Sequence, residues 1–293
     1  MKKIVVLSIL LSLALPVVAA AETHLVDRVI VEKDLEYGNA ETYKLKLDLY
    51  RPEQRNADFL PAVVWVHGGG WEKGDKGSGR DRLVPFVSSG AFIGVSINYR
   101  LTDVAAWPAQ IHDAKAAIRW VRANSKQYGI DPARICVWGS SAGGHIAALL
   151  GSSADNPELE GTNGSPGQSS RVQCVVDVSG PSDLLGLALT NPELFMPRKP
   201  VFKLLGGSLD ERKAVAKAAS PISYVKNAAP PFLIIHGTND STVSMQQSET
   251  LDASLKKAGV SVAILKIEGG GHKLEGPKID GPVMKFIEKQ LKF

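Results

Sequence analysis

Six short, predominantly apolar runs, separated by helix-length stretches, constrain this chain more than any other feature. They are Ala62 to Val66, Phe92 to Ile97, Ile135 to Trp138, Val172 to Val178, Phe232 to Ile235 and Val262 to Ile267. A strand that is apolar at every position suits a parallel sheet covered on both faces by helices. Between the runs, residues 108–127 carry Ile111, Ala114, Ile118 and Val121 at helical spacing. Residues 142–150 read as a short buried helix. Residues 244–258 read as a helix opened by a capping box of Ser244 and Gln247 and closed by Gly259. A last helix is read over residues 282–292. Two N-terminal segments, Leu25 to Val31 and Tyr43 to Tyr50, alternate with period two and read as antiparallel strands, the second stopped by Pro52. The order of elements predicts one α/β domain over residues 22–293, a mostly parallel sheet begun by antiparallel strands.

Two stretches break the rhythm. Residues 152–170 are rich in Ser, Gly, Asn and Pro and read as a loop. Residues 181–220 form an unusually long connection with prolines at 192, 197 and 200. An ordinary crossover helix with decorated loops would account for it; a cap insertion over the active site is the preferred reading.

The chain start is read apart from the fold. Lys2 and Lys3 precede an apolar run, Ile4 to Leu15, then Pro16 and the small residues Ala19, Ala20 and Ala21. That is the pattern of a secretory signal peptide over residues 1–21, so the protein is expected to be exported, to the periplasm or the medium. The run is too short to span a bilayer, and no stable membrane association is expected. The formal charge of +4 falls to +2 (4 − 2) when Lys2 and Lys3 leave. So small and scattered an excess gives no case for a nucleic-acid partner. Cys136 and Cys174 sit inside apolar runs, where free cysteines behave as small hydrophobes. Export permits a disulfide, but unpaired thiols are the expectation, and no redox or metal spacing surrounds them.

The residues that carry chemistry begin with Gly139-Ser140-Ser141-Ala142-Gly143, a G-x-S-x-G sequence between a strand and a helix. In that context the serine occupies a sharp strand-to-helix turn that exposes its hydroxyl, and Ser141 is read as a nucleophile. His67-Gly68-Gly69-Gly70-Trp71 follows the first apolar run. Backbone N–H groups of Gly69 and Gly70, with that of Ala142, are placed to form an oxyanion hole. A phosphate loop would need a terminal Gly-Lys-Ser/Thr, which is absent. His67 is read as a loop anchor, and Trp71 either lines a substrate pocket or packs the loop.

A serine nucleophile needs a base and the base an orienting acid, in the chain order Ser, Asp or Glu, His. Of the six histidines only His236 and His272 follow Ser141 at a distance. His236 ends an apolar run and reads as a satisfied core residue. His272 follows a strand and three glycines and is chosen as the base. Asp240, on the loop after the preceding strand, is chosen as the acid; Asp183 is its main competitor. Asp113 and His145 are read as structural. No metal or organic cofactor is implied.

These segments resemble the α/β-hydrolase superfamily. The likeness is closer to bacterial esterases with a His-Gly-Gly-Gly-Trp loop, including hormone-sensitive-lipase-like carboxylesterases and secreted acetylxylan and feruloyl esterases. It rests on His67 to Trp71 with Gly74-Asp75-Lys76, on Asp113 to Trp120, on Gly139 to His145, on His236-Gly237 with Asp240, and on His272. The resemblance implies an α/β-hydrolase fold and a serine esterase with a Ser141–His272–Asp240 triad. The substrate would be a small-molecule or oligosaccharide ester. An arylformamidase-like amide hydrolase is the rival within enzymes, and a hydrolase-fold binding protein without catalysis the rival outside them.

Overall fold

The computed structural model describes residues 23–40, 42–154 and 156–291; the expected signal peptide, residues 1–21, lies outside the described residues. A nine-stranded sheet runs through the molecule in the order β1-β2-β3-β5-β4-β6-β7-β8-β9. Strands β1 (Thr23–Val26), β2 (Val29–Ala40) and β3 (Tyr43–Pro52) pair antiparallel, and β3 pairs antiparallel with β5 (Ile93–Ile97). From β5 onward every pairing is parallel, through β4 (Leu60–Val66), β6 (Ile130–Ser140), β7 (Cys174–Val178), β8 (Phe232–Gly237) and β9 (Val262–Ile267). This is the α/β-hydrolase fold.

The helices are α1 (Arg80–Val87), α2 (Ala109–Ala123), α3 (Ser125–Tyr128), α4 (Ala142–Ser152), α5 (Leu184–Thr190), α6 (Pro200–Leu205), α7 (Leu209–Ala218), α8 (Gln246–Lys257) and α9 (Pro277–Leu291). They cover two apolar layers, one on each face of the sheet. Val64, Val137, Val175 and Ile234 point into one layer with Ile118, Ile146 and Leu251. Val63, Cys136, Val176 and Ile235 point into the other with Phe86, Val283 and Ile287. Alternate residues of one strand therefore enter opposite cores, which is why these strands are predominantly apolar.

Several expectations are corrected. The segment Leu25 to Val31 is two strands, not one: Val26 pairs with Val29 across a two-residue turn. Asp27 and Arg28 hold φ of 49° and 64° there, as a type I′ hairpin requires. Strand β2 runs to Ala40, but register shifts between Glu32 and Leu35 and between Glu36 and Gly38 break the alternation that would have revealed it. The helix over 108–127 divides at Asn124 into α2 and α3. The last helix begins at Pro277, five residues early, and runs through Pro282. The capping box does not form. Gln247 turns away from Ser244 and accepts from the backbone N–H groups of Ser182 and Asp183 at 2.9 and 2.8 Å, so it ties α8 to the loop after β7.

Cys136 and Cys174 are bonded to each other, contrary to the expected free thiols. The parallel register of β6 and β7 places the two residues side by side, with Cα atoms 4.7 Å apart, inside the separation a disulfide spans.

Candidate active site

Four loops, at the carboxyl ends of the parallel strands β4, β6, β8 and β9, converge on one point. Strand β6 delivers Ser141, which holds φ 56° and ψ −121° between the strand and α4. Its N–H donates to the Val178 carbonyl at 2.7 Å. The turn tolerates no side chains at its flanks. A Cβ on Gly139 would lie 2.1 Å from the Gly143 carbonyl oxygen, and one on Gly143 would lie 2.1 Å from that of Val66. The G-x-S-x-G spacing thus follows from the packing of β6, α4 and the end of β4.

The Ser141 Oγ lies 2.8 Å from Nε2 of His272, on the loop after β9. Nδ1 of the same ring lies 2.7 Å from Oδ2 of Asp240, on the loop after β8. The other carboxylate oxygen, Oδ1, accepts from the N–H groups of Thr242 and Val243 at 2.8 and 2.9 Å. Burial pushes the Asp240 carboxyl up, but bonds from His236, His272 and the Val243 N–H hold it well below the usual carboxylate range. An ionised acid against Nδ1 leaves Nε2 free to take the serine proton.

On the loop after β4, Gly69 and Gly70 take φ of 111° and 62°. A Cβ on Gly69 would lie 2.1 Å from the Lys73 carbonyl oxygen. The Gly69 carbonyl faces inward to accept from the N–H groups of Glu72 and Lys73. The N–H groups of Gly69, Gly70 and Ala142 find no acceptor among the described residues, and all three residues line the cavity beside Ser141. Orphan donors at the rim of a cavity suit a developing oxyanion.

The cavity measures about 540 Å³. One group of lining residues is apolar: Trp71, Leu187, Leu194, Pro200, Val201 and Val243. Most of it comes from residues 181–220, whose helices α5 and α6 wall the cavity. A second group is polar: Ser78, Arg82, Lys273 and Glu275, set on Trp65 and Leu274. Arg82 lies over the Trp65 ring at 5.8 Å and donates to Asp280 and to the Leu274 carbonyl.

Trp71 is 4% exposed and both lines the cavity and packs the loop. Its ring stands edge-on to His145 at 5.1 Å. His67 stacks on Tyr99 at 4.3 Å, with Nδ1 donating to the Gly68 carbonyl at 2.7 Å; burial pushes it below its usual value. Asp113 receives the backbone N–H and two guanidinium N–H bonds of Arg100. Asp183 caps α5 by accepting from the Leu185 N–H at 3.1 Å. Sequence reasoning missed three participants. Glu72 pairs with Lys203 at 2.7 Å and so ties the glycine loop to α6. Arg82 sits on a helix that carries no motif. His236 was read as core only, yet its Nε2 lies 3.1 Å from Asp240 Oδ2. Among the described residues no group of three or more His, Cys, Asp or Glu is arranged to hold a metal ion, and no helix is long and apolar enough to cross a membrane.

With this geometry in place, comparison with known proteins is specific. The BD-FAE family model matches residues 47–255, a span that holds the glycine loop, the serine turn and Asp240. Esterase LipQ of Mycobacterium tuberculosis is 38% identical over 247 residues, which are 83% of this chain and 57% of that protein. Esterase LipC of the same organism is 32% identical over 232 residues, 77% of this chain and 56% of that protein. The chain therefore spans little more than half the length of these curated relatives. Among solved structures, a truncated carbohydrate esterase from gut microbiota is similar at a TM-score of 0.82 and 28% identity, covering 93% of this chain and 100% of that one. The propionate-bound esterase 2 of Thermogutta terrifontis is similar at 0.70 and 27%, covering 94% and 93%.

Proposed function

The chain belongs to the BD-FAE family, and from that premise we propose that it hydrolyses carboxylic esters with Ser141 as nucleophile, His272 as base and Asp240 as orienting acid. The observation that carries the reading is the continuous bond path from Ser141 Oγ to His272 Nε2 and from His272 Nδ1 to Asp240 Oδ2, at 2.8 and 2.7 Å. Ser141 attacks the ester carbonyl while His272 takes its proton. The Gly69, Gly70 and Ala142 N–H groups hold the oxyanion. His272 then protonates the departing alcohol, and water, deprotonated by His272, frees the acid from the acyl-enzyme.

The substrate is an acetyl or feruloyl ester of plant polysaccharide, or another short-chain ester. Two things support this: a cavity lined both by the apolar Leu187, Leu194 and Val201 and by the polar Arg82 and Lys273, and the fold likeness to a carbohydrate esterase. Export is part of the same reading. It rests on the basic, apolar and small-residue order of residues 1–21, and a disulfide between Cys136 and Cys174 suits an oxidising compartment.

The test is a panel of short and long nitrophenyl esters, acetylated xylan, methyl ferulate and formyl-kynurenine, each beside Ser141→Ala. Turnover of acetylated xylan or ferulate, lost in the variant, supports the polysaccharide reading. Turnover of nitrophenyl esters alone moves the substrate to another small ester. Preference for formyl-kynurenine replaces ester with amide hydrolysis.

A further inference from the structure

We propose that His236 is a positioning residue for the orienting acid: its Nε2–H shares Asp240 Oδ2 with His272 and fixes both the direction and the strength of that carboxylate. The inference rests on the reading of Ser141, His272 and Asp240 given above.

His236 ends β8 and is fully buried. Nε2 faces two acceptors, the Val243 carbonyl at 2.9 Å and Asp240 Oδ2 at 3.1 Å. Between two acceptors a ring nitrogen must carry its hydrogen, or three lone pairs would meet in a buried space. The opposite nitrogen, Nδ1, lies 2.6 Å from Oγ of Ser248 on α8. A hydroxyl donates or accepts as required, so it satisfies Nδ1 in either protonation state. Ser248 is itself fully buried, and the ring is thus held at both ends by groups it cannot leave.

The consequence falls on Asp240. Its Oδ1 is fixed by two backbone N–H groups of its own loop. These two bonds alone leave Oδ2 free to swing about the carboxyl axis. The second imidazole, its Nε2–H shared between Oδ2 at 3.1 Å and the Val243 carbonyl at 2.9 Å, limits that freedom and helps aim the lone pair at His272 Nδ1. The two imidazoles also divide the electron density of Oδ2, so the pull that Asp240 exerts on the His272 proton is weaker than with His272 alone. The titratable groups facing His236 are Asp240 on its own loop and the buried Asp177 on β7, on which His236 acts; His272 approaches from the loop after β9. Beyond these, Lys273 and Glu275 lie on the His272 loop and line the same cavity.

The experiment compares His236→Phe, which removes the donor, with His236→Gln, whose amide N–H reaches the same place as Nε2. For His236→Phe the expected result is kcat lower by roughly ten- to a hundredfold, the worth of a bond to a charged acceptor, with KM unchanged. The pH of half-maximal kcat/KM on the acid side should move upward. His236→Gln should stay within about threefold of the parent and keep its pH midpoint. Parental kcat and midpoint in His236→Phe would overturn the proposal. So would equal impairment of both variants at the parental midpoint, the mark of a merely structural residue. Nitrogen-15 spectra of the unmodified protein decide the matter even if His236→Phe does not fold. A protonated Nε2 on His236, bonded to a carboxylate, is expected, and an unprotonated Nε2 would contradict the proposal. If the unmodified protein turns over no ester at all, the reading of the site fails. If it is active and His236→Phe is silent, only this inference fails.

Discussion

The indole N–H of Trp71 donates to Nδ1 of His145 at 3.2 Å, while Nε2 of the same imidazole donates to the Ala219 carbonyl at 2.7 Å. The glycine loop, the helix behind Ser141 and the end of α7 are joined through one buried ring. That ring is neutral, with its hydrogen on Nε2, because a second hydrogen on Nδ1 would face the indole N–H. Burial pushes His145 down to about 4, against the bond to Ala219, which raises it.

A pH dependence of stability follows with a definite sign. A histidine whose folded value lies below its unfolded 6.5 contributes stability that is complete above that pH and is lost as pH falls toward about 4. Between pH 7 and 5 the loss is about 2 kcal/mol. Asp177 runs the other way: burial raises it to about 6, against His236 and the Gly180 N–H, so it stabilises as pH falls through that value. Its gain over the same window is about 1 kcal/mol. The net change in the parent is therefore small. In urea titrations, His145→Gln should gain stability relative to the parent by about 2 kcal/mol on going from pH 7 to 5. A constant difference across that window would refute the assignment of the neutral ring.

Gly70→Ala tests the oxyanion loop. Gly70 holds φ 62°, and an added Cβ would lie 3.2 Å from the Pro200 ring on α6. The positive φ and this tight contact strain the loop and are expected to displace its N–H groups. Turnover of a nitrophenyl ester should fall by about 10²–10³, the worth of one such donor, with KM little changed. Near-parental kcat would show that the loop accepts the added methyl without displacing these N–H groups.

The disulfide is expected to act on stability rather than turnover. It closes a loop with a sequence separation of 38 between two fully buried positions. Replacing both cysteines by alanine should lower the unfolding free energy by about 2–4 kcal/mol. Denaturant titration measures the loss, and kcat at 25 °C should remain close to that of the parent. A large loss of kcat in a folded variant would show that the bridge positions Ser141.

Much of this architecture was legible because parallel strands must be apolar on both faces. The runs at Val63 to Val66 and Phe232 to Ile235 report that condition directly. The serine turn was legible because Gly139 and Gly143 have no room for a Cβ. What escaped was set by tertiary contact. Strand β2 hid behind its bulges. Gln247 left its helix cap for the N–H groups of Ser182 and Asp183. The disulfide depended on the register of β6 against β7, which no local pattern encodes. His236 was placed in the core by its apolar neighbours, and its bond to Asp240 needed the loop to fold back over it.

Ser141, made reactive by His272, is the centre of the proposed chemistry. The deciding measurement is labelling of the intact protein by a fluorophosphonate, followed by peptide mass mapping. One adduct per chain, on Ser141, absent in Ser141→Ala and greatly slowed in His272→Ala, is the expected result. An unlabelled protein, or an adduct on another residue, would contradict Ser141 as the nucleophile.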